Sequence, residues 1–374
     1  MAKRNYRKSR KKIQPAPMNF SFNISVTNDP SGGQPYETHY LDLSQVASLV
    51  NRRAYRQGLQ WALKSIKIVS QVRMQSGVSS TGRSTPAGLV YVSKLPQTWV
   101  MSNAWEKGFR AWMKQQKEAV ENGSASLMPK FLDYKVHMDE QHVTNTFGTN
   151  MLPRSLVASG FGPVLGNQAT PGEWEASNVV TPVGPGGTVG ETHSSVIMAV
   201  GQNYGAAGNQ RIVSLIDGYA SSRAIGASAI DDPNRPDDMY DTDGDFPDNW
   251  LEAMTNQGTD QDSAVLLDQL TQNNIAPYPF ENDGTATDTM YPGGANQLPT
   301  LEVHAIEPIT GTTIGGTSFI SGGTFPCGLL RFDVQNFSED VDASQDPLIL
   351  SLDIQVELVP GQHKGYLCEP MTEM

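Results

Sequence analysis

Cysteine is nearly absent: Cys327 and Cys368 are the two among 374 residues. Two thiols make no disulfide framework, and their spacing fits no metal-binding pattern, so the reading is of two reduced thiols in an intracellular protein. Long apolar runs are missing as well. No stretch approaches the roughly 18 apolar residues of a membrane span. The basic start has no apolar segment behind it of the kind a secretory signal needs. These absences point to a soluble chain made in the cytosol, without membrane insertion.

Catalytic signatures are missing one after another. The Gly-rich GPGGTVGE (184–191) lacks the Lys of a phosphate-binding loop, and Glu191 would repel a phosphate. HMDEQH (137–142) sets two His five residues apart, a spacing that does not share one helical face. No G-x-S-x-G elbow occurs. The expectation is a protein that catalyses no reaction and carries no cofactor.

Charge is scarce but segregated. Asp and Glu number 39 against 27 Lys and Arg, a net of -12. Yet MAKRNYRKSRKK, the first twelve residues, holds seven of those bases and no acid, which leaves the remaining chain at -19. From Asp231 to Thr300 there are 15 acids and one base, Arg235. A terminal block of like charge reads as a disordered interaction tail.

Lys3, Arg4, Arg7, Lys8, Arg10, Lys11 and Lys12 can each neutralise a phosphate and release a counterion, and Tyr6 can stack on a base. Seven such contacts to a single strand predict a log-log salt slope of about -5. The same seven residues also read as a nuclear-import signal, since import receptors read clustered positive charge. Arg52, Arg53 and Arg56, beside Tyr55, form a second basic cluster, which at a helix end also complements the helix dipole.

Gly and Pro are plentiful, 35 and 24 residues, and punctuate the chain into many short elements, which favours an all-β fold. Nine strands are expected. Phe20, Phe22, Ile24 and Val26 alternate after an arm of residues 1–16, and in PLILSLDIQVELVP the six positions Leu348, Leu350, Leu352, Ile354, Val356 and Leu358 share one face. The others are 65–74, 88–92, 130–138, 195–201, 211–218, 301–306 and 329–334. Two helices are expected. One runs from an N-cap at Ser44 to Gln57, with Gly58 as stop and Val46, Leu49 and Val50 buried. The other starts from an Asn103 cap, with Trp105, Phe109 and Trp112 as its core stripe. Residues 139–192 and 219–300 form long connections, with one short helix allowed at 258–274. DTDGDFPDNWLE offers Asp241, Asp243, Asp245 and Glu252 as a weak Ca²⁺ loop, but its Gly244 stands at position 4 where the turn needs Gly at position 6.

Several strings carry a family resemblance: SFNISV, DLSQVASLVNRRAYRQGL, LPQTWVMSNAWEKGFRAWMKQ, LPTLEVHAIEPITG, SGGTFPCGLLRFDV and VELVPGQHKGYLCEPMTEM. In these the chain resembles the capsid proteins of circular, replication-protein-encoding single-stranded DNA viruses, the unclassified environmental, circovirus-like group. The resemblance implies a single viral jelly roll over residues 17–374, with two four-stranded antiparallel sheets, long loops and an acidic excursion at 219–300. It also implies sixty self-associating copies around circular single-stranded DNA (a T=1 shell), assembly in the host nucleus, and a basic arm on the genome. Three rival readings are a coat for single-stranded RNA, a Ca²⁺-dependent β-sandwich adhesion or carbohydrate-binding module, and a monomeric nuclear DNA-binding protein.

Overall fold

The structure, a computed structural model, describes residues 16–27, 36–74, 86–123, 132–159, 162–182, 192–202, 204–207, 210–224, 301–310, 316–338 and 348–373. In chain order the first elements are β1 (Asn19–Thr27), β2 (Tyr36–Asp42), α1 (Leu43–Asn51), β3 (Leu59–Met74), β4 (Ala87–Lys94), α2 (Trp99–Asn122) and α3 (Glu140–Asn145). The middle holds β5 (Arg154–Ser159), β6 (Gly162–Gln168), β7 (Asn178–Pro182), β8 (Thr192–Met198), β9 (Tyr204–Ala207), β10 (Gln210–Ser214) and α4 (Leu215–Ala224). The last third holds β11 (Glu302–Thr310), β12 (Thr317–Phe325), β13 (Leu329–Asn336), β14 (Leu348–Leu358), β15 (Pro360–Gly361), β16 (Gly365–Tyr366) and β17 (Cys368–Pro370). The protein is mostly β-sheet.

Two antiparallel sheets form the body. One has the order β1-β14-β3-β12, with β17 added against β3; the other runs β11-β4-β13-β2. Strict alternation fixes the register, because a slip of one residue would turn every apolar side chain to the wrong face. Phe20, Phe22, Ile24 and Val26 of β1 thus stand opposite Val356, Ile354, Leu352 and Leu350 of β14. Ile354 and Val356 in turn face Ile68 and Ile66 of β3. In the second sheet Phe332 and Val334 of β13 meet Val92 and Val90 of β4, and Leu330 meets Leu41 of β2. These side chains form one buried core. Each such residue contributes about 1.5–3 kcal/mol by leaving water.

A second core lies under α2. Trp105 stacks on Phe109 at 5.2 Å between ring centroids, and the Tyr134 ring touches Trp105, Phe109 and Trp112. These rings pack with Ile197 of β8, Val213 of β10, and Leu215 and Tyr219 of α4. Their sheet, β7-β8-β10-β9, pairs β8 and β10 in parallel, so antiparallel pairing does not extend to every sheet.

Several expectations need correction. The helices number four among the described residues and are not two short ones; α2 alone has 24 residues. Its cap is Thr98, whose hydroxyl accepts from the Met101 amide, while the Asn103 side chain donates to the Tyr219 hydroxyl. The cap of α1 is Asp42, not Ser44: the carboxylate takes both the Ser44 and Gln45 amides, and the Ser44 hydroxyl donates to the Arg56 carbonyl. That helix ends at Asn51 rather than Gln57 because Arg52 turns left-handed (φ 51°) and gives its amide to the Ser48 carbonyl. Leu43 and Ala47 join Val46 on the buried face, and Val50 lies exposed.

The expected strand at 130–138 does not form over its described residues: it makes one bridge, between His137 and Met198, and its Lys135 and Met138 carbonyls accept from the Ser177 and Val200 amides. The Gln57 side chain stands in for a neighbouring strand there, accepting from the Val136 amide and donating to the Val136 carbonyl. The strand placed at 211–218 stops at Ser214, where α4 begins. The 139–192 connection holds α3, β5, β6 and β7.

Candidate nucleic-acid interface

Lys3, Arg4, Tyr6, Arg7, Lys8, Arg10, Lys11 and Lys12 lie outside the described residues, as do Asp241, Asp243, Asp245, Glu252 and the 258–274 helix. Among the described residues no group of three or more His, Cys, Asp or Glu is placed to hold a metal ion. No described helix is long and apolar enough to cross a membrane.

What the structure does place is the root of the basic arm. Met18 accepts at its carbonyl from the Leu358 amide, continuing the β1–β14 ladder outward. The Pro17 carbonyl accepts from the Tyr366 hydroxyl at 2.9 Å. Ala16 rests on Gly365, where a Cβ would lie 2.7 Å from the Ala16 methyl; with φ at +114° this position requires glycine. The Tyr366 ring is buried against Phe20, Tyr55 and Trp61. Burial pushes its phenol up to about 12, so the hydroxyl keeps its proton for the Pro17 bond. The same oxygen accepts from the Asn51 side chain at 2.9 Å. One hydroxyl therefore joins the arm root, the end of α1 and the β15–β16 turn.

The second basic cluster stands at this junction. Arg52, Arg53 and Arg56 are exposed. Tyr55 is not available to stack on a base: it is buried, its amide held by the Ser48 hydroxyl and its own hydroxyl donating to the Lys364 carbonyl at 3.1 Å. Lys364 (φ 52°) brings a fourth cation to the group. Its ammonium donates to the Ala54 carbonyl and sits 5.1 Å from the Tyr55 ring centroid. Partial burial lowers its pKa, and the Arg56 and Arg53 charges lower it further. Asp133 is the nearby acid, and it pairs with Lys135 at 3.5 Å. Lys364 escaped sequence reading because it lies 310 residues from Ala54 along the chain.

His137 and His142, five apart in sequence, do meet in space: their rings lie 4.8 Å apart, edge to face. His137 precedes α3 and His142 lies within it, so the helical-face argument did not govern their contact. His142 is fully committed, with Nδ1 accepting from the Met138 amide and Nε2 bonded to Asn150. Cys327 and Cys368 are both free thiols; burial raises both, Cys368 to about 12, which leaves them protonated and unreactive.

No family model, no curated protein and no solved structure matches this chain.

Proposed function

We propose that this chain is a viral capsid protein whose body is a single jelly roll. It self-assembles into an icosahedral shell of sixty copies and packages circular single-stranded DNA through its basic arm. The observation that carries the reading is the strand order. Counting only the eight strands of the two body sheets in chain order, one sheet reads first, eighth, third, sixth and the other second, seventh, fourth, fifth. That interleaving is the order of two nested Greek keys, which closes two sheets over one core. The corners between strands are then free to carry long insertions, and the segment between β4 and β11 holds α2, α3, α4 and six further strands.

Charge supports the same reading. Seven bases stand in the first twelve residues, four or more positions ahead of Ala16 in sequence, while the remainder carries net negative charge. A positive arm held toward phosphate and an acidic exterior suit a soluble container.

Negative-stain imaging of the expressed full chain tests this directly. Closed shells of one diameter are expected; a monodisperse single subunit under the same conditions overturns the reading. Opened particles treated with DNase or RNase then identify the cargo, and loss to RNase alone would make the genome RNA. Stabilisation by Ca²⁺ that Asp243→Ala abolishes, with no particles formed, would favour an adhesion module instead.

A further inference from the structure

We propose that Arg52, Arg53, Arg56 and Lys364 form a phosphate-binding patch on the folded body, which carries the polynucleotide onward from the arm. The inference rests on the packaging function proposed above and adds a site to it.

Three observations converge. The first is the gathering itself. Lys364 arrives on the β15–β16 turn and places its ammonium on the Ala54 carbonyl, between Arg53 and Arg56 in sequence. Reciprocally, the Tyr55 hydroxyl holds the Lys364 backbone. The second is the lack of compensation. Among the described residues none of the four cations has a carboxylate within ion-pair distance, and neighbouring Asp133 is already paired with Lys135. Among the described residues, four exposed cations are thus held together with Asp133 as their one neighbouring acid, a local excess of positive charge that attracts an anion.

The third is position. Tyr366 bonds both Asn51, at the end of α1, and Pro17, at the arm root. Lys12 is four residues before Ala16, so chain length alone keeps it within about 14 Å of this junction. A strand held by the arm therefore reaches the patch within a few nucleotides.

A helix-capping role explains only part of this. The dipole of α1 favours cations within its last turn by about 0.3–1 kcal/mol each. That accounts for Arg52 and Arg53 but not for Arg56, four residues past the cap, nor for Lys364. With Tyr55 buried and unavailable to stack on a base, the patch binds through backbone phosphate. On the shell reading, the surface bearing Ala16, the end of α1 and the β15–β16 turn then faces the lumen.

The test measures oligothymidylate binding to the full chain across a salt series. The variant R53Q/R56Q/K364N removes three cations and leaves the Arg52 cap, and Asn tolerates the left-handed backbone at 364. Its log-log salt slope should be shallower by about 2, at about 0.7 per lost contact. R53K/R56K keeps the charge and should keep the slope; loss of slope there would mean that shape and not charge is at work, and overturns the proposal. If the triple variant is poorly folded by its thermal midpoint, R56Q alone should lower the slope by about 0.7. An unchanged slope in the folded patch variants overturns the patch. If a full chain with all seven arm bases changed to Gln still loses about 5 from its slope, the packaging reading survives that result. If neither set of changes alters the slope, both ideas fail. Patch-dependent binding to phosphatidylserine vesicles with no change on the oligonucleotide would reassign the site to lipid headgroups.

Discussion

The Tyr366 hydroxyl donates to the Pro17 carbonyl at 2.9 Å and ties the backbone just before β1 to the β15–β16 turn. Tyr366→Phe keeps the ring in its aromatic cluster but leaves the Pro17 carbonyl without its donor and Asn51 without one acceptor. Asn51 retains its bond to the Ala47 carbonyl. The expected cost is about 1–2 kcal/mol in chemical unfolding. Faster amide exchange should be confined to Ala16, Met18 and the end of α1. A variant as stable as the parent, with unchanged exchange, would show that the hydroxyl holds nothing.

Arg331 of β13 ties the second body sheet to the start of α3. Its guanidinium lies 2.7 Å from Asp139 and 2.9 Å from Asp333. Asp139 also accepts from the Tyr40 hydroxyl and from the His142 amide. Burial opposes the charge on Arg331, but Asp139, Tyr40 and Asp333 together hold its pKa above the ordinary value. Arg331→Leu strands two partly buried carboxylates and should cost about 3 kcal/mol. Combined with Asp139→Asn, the loss should be smaller than the sum of the two, because part of the first cost is the unpaired Asp139 charge. Additive losses in denaturant titrations would deny the coupling.

How far the sequence reveals this fold depends on where each element's stability resides. The strand β14 is plain in the chain because all six of its expected apolar positions are buried, and the alternation alone specifies its face. The strand β12, TSFISGGTF, is not: its pairing with β3 rather than its composition makes it a strand. Gly322 in its middle lies so close to β3 that a Cβ there would stand 2.1 Å from the Leu63 carbonyl oxygen. Such a glycine reads locally as a breaker and serves globally as a close approach. In the same way β2, YETHYLD, shows little apolar pattern yet finds its place against β13. Of the candidate site, Arg52, Arg53 and Arg56 were legible as adjacent charges. Lys364 was not, since only the closing of the chain brings it to them.

That close approach is itself testable. Gly322→Ala introduces a methyl group against backbone, which has no rotamer to yield. Either β12 shifts away from β3 or the edge of the sheet opens. The substitution should cost about 2–4 kcal/mol in chemical unfolding, as overpacking and backbone displacement do. Near-neutral stability would mean that β12 does not lie this close to β3.

The buried histidines set a pH dependence with a definite sign. Burial lowers His137 to about 2, helped by the neighbouring His142 and opposed by Asp139. Burial also lowers His142 to about 3, against its bond to Asn150. Both values lie below the unfolded value of 6.5, so the unfolded chain binds more protons across that window. Their contribution to stability is complete above pH 6.5 and drains as the pH falls toward 3. Asp42 works the other way. Burial raises it to about 6 despite its four donors, so its stabilising protonation is present below its unfolded value of 3.8 and is lost as pH rises through 6. The two effects oppose one another between 3.8 and 6, and Asp42 no longer offsets the histidines from 6 to 6.5 or below 3.8.

His137 provides the clean test, because its Nδ1 is buried without a hydrogen-bond partner and its ring stacks on Phe147 at 4.2 Å. His137→Phe keeps a stacking ring and deletes both the orphan nitrogen and the titration. At pH 7 the variant should be equal to the parent or about 1 kcal/mol more stable. Below pH 6.5 its stability should fall less steeply than the parent's, by up to about 1.4 kcal/mol for each pH unit. Unfolding curves at neutral and mildly acid pH measure the difference, and parallel declines in the two proteins would mean that His137 is already protonated or exposed in the native state.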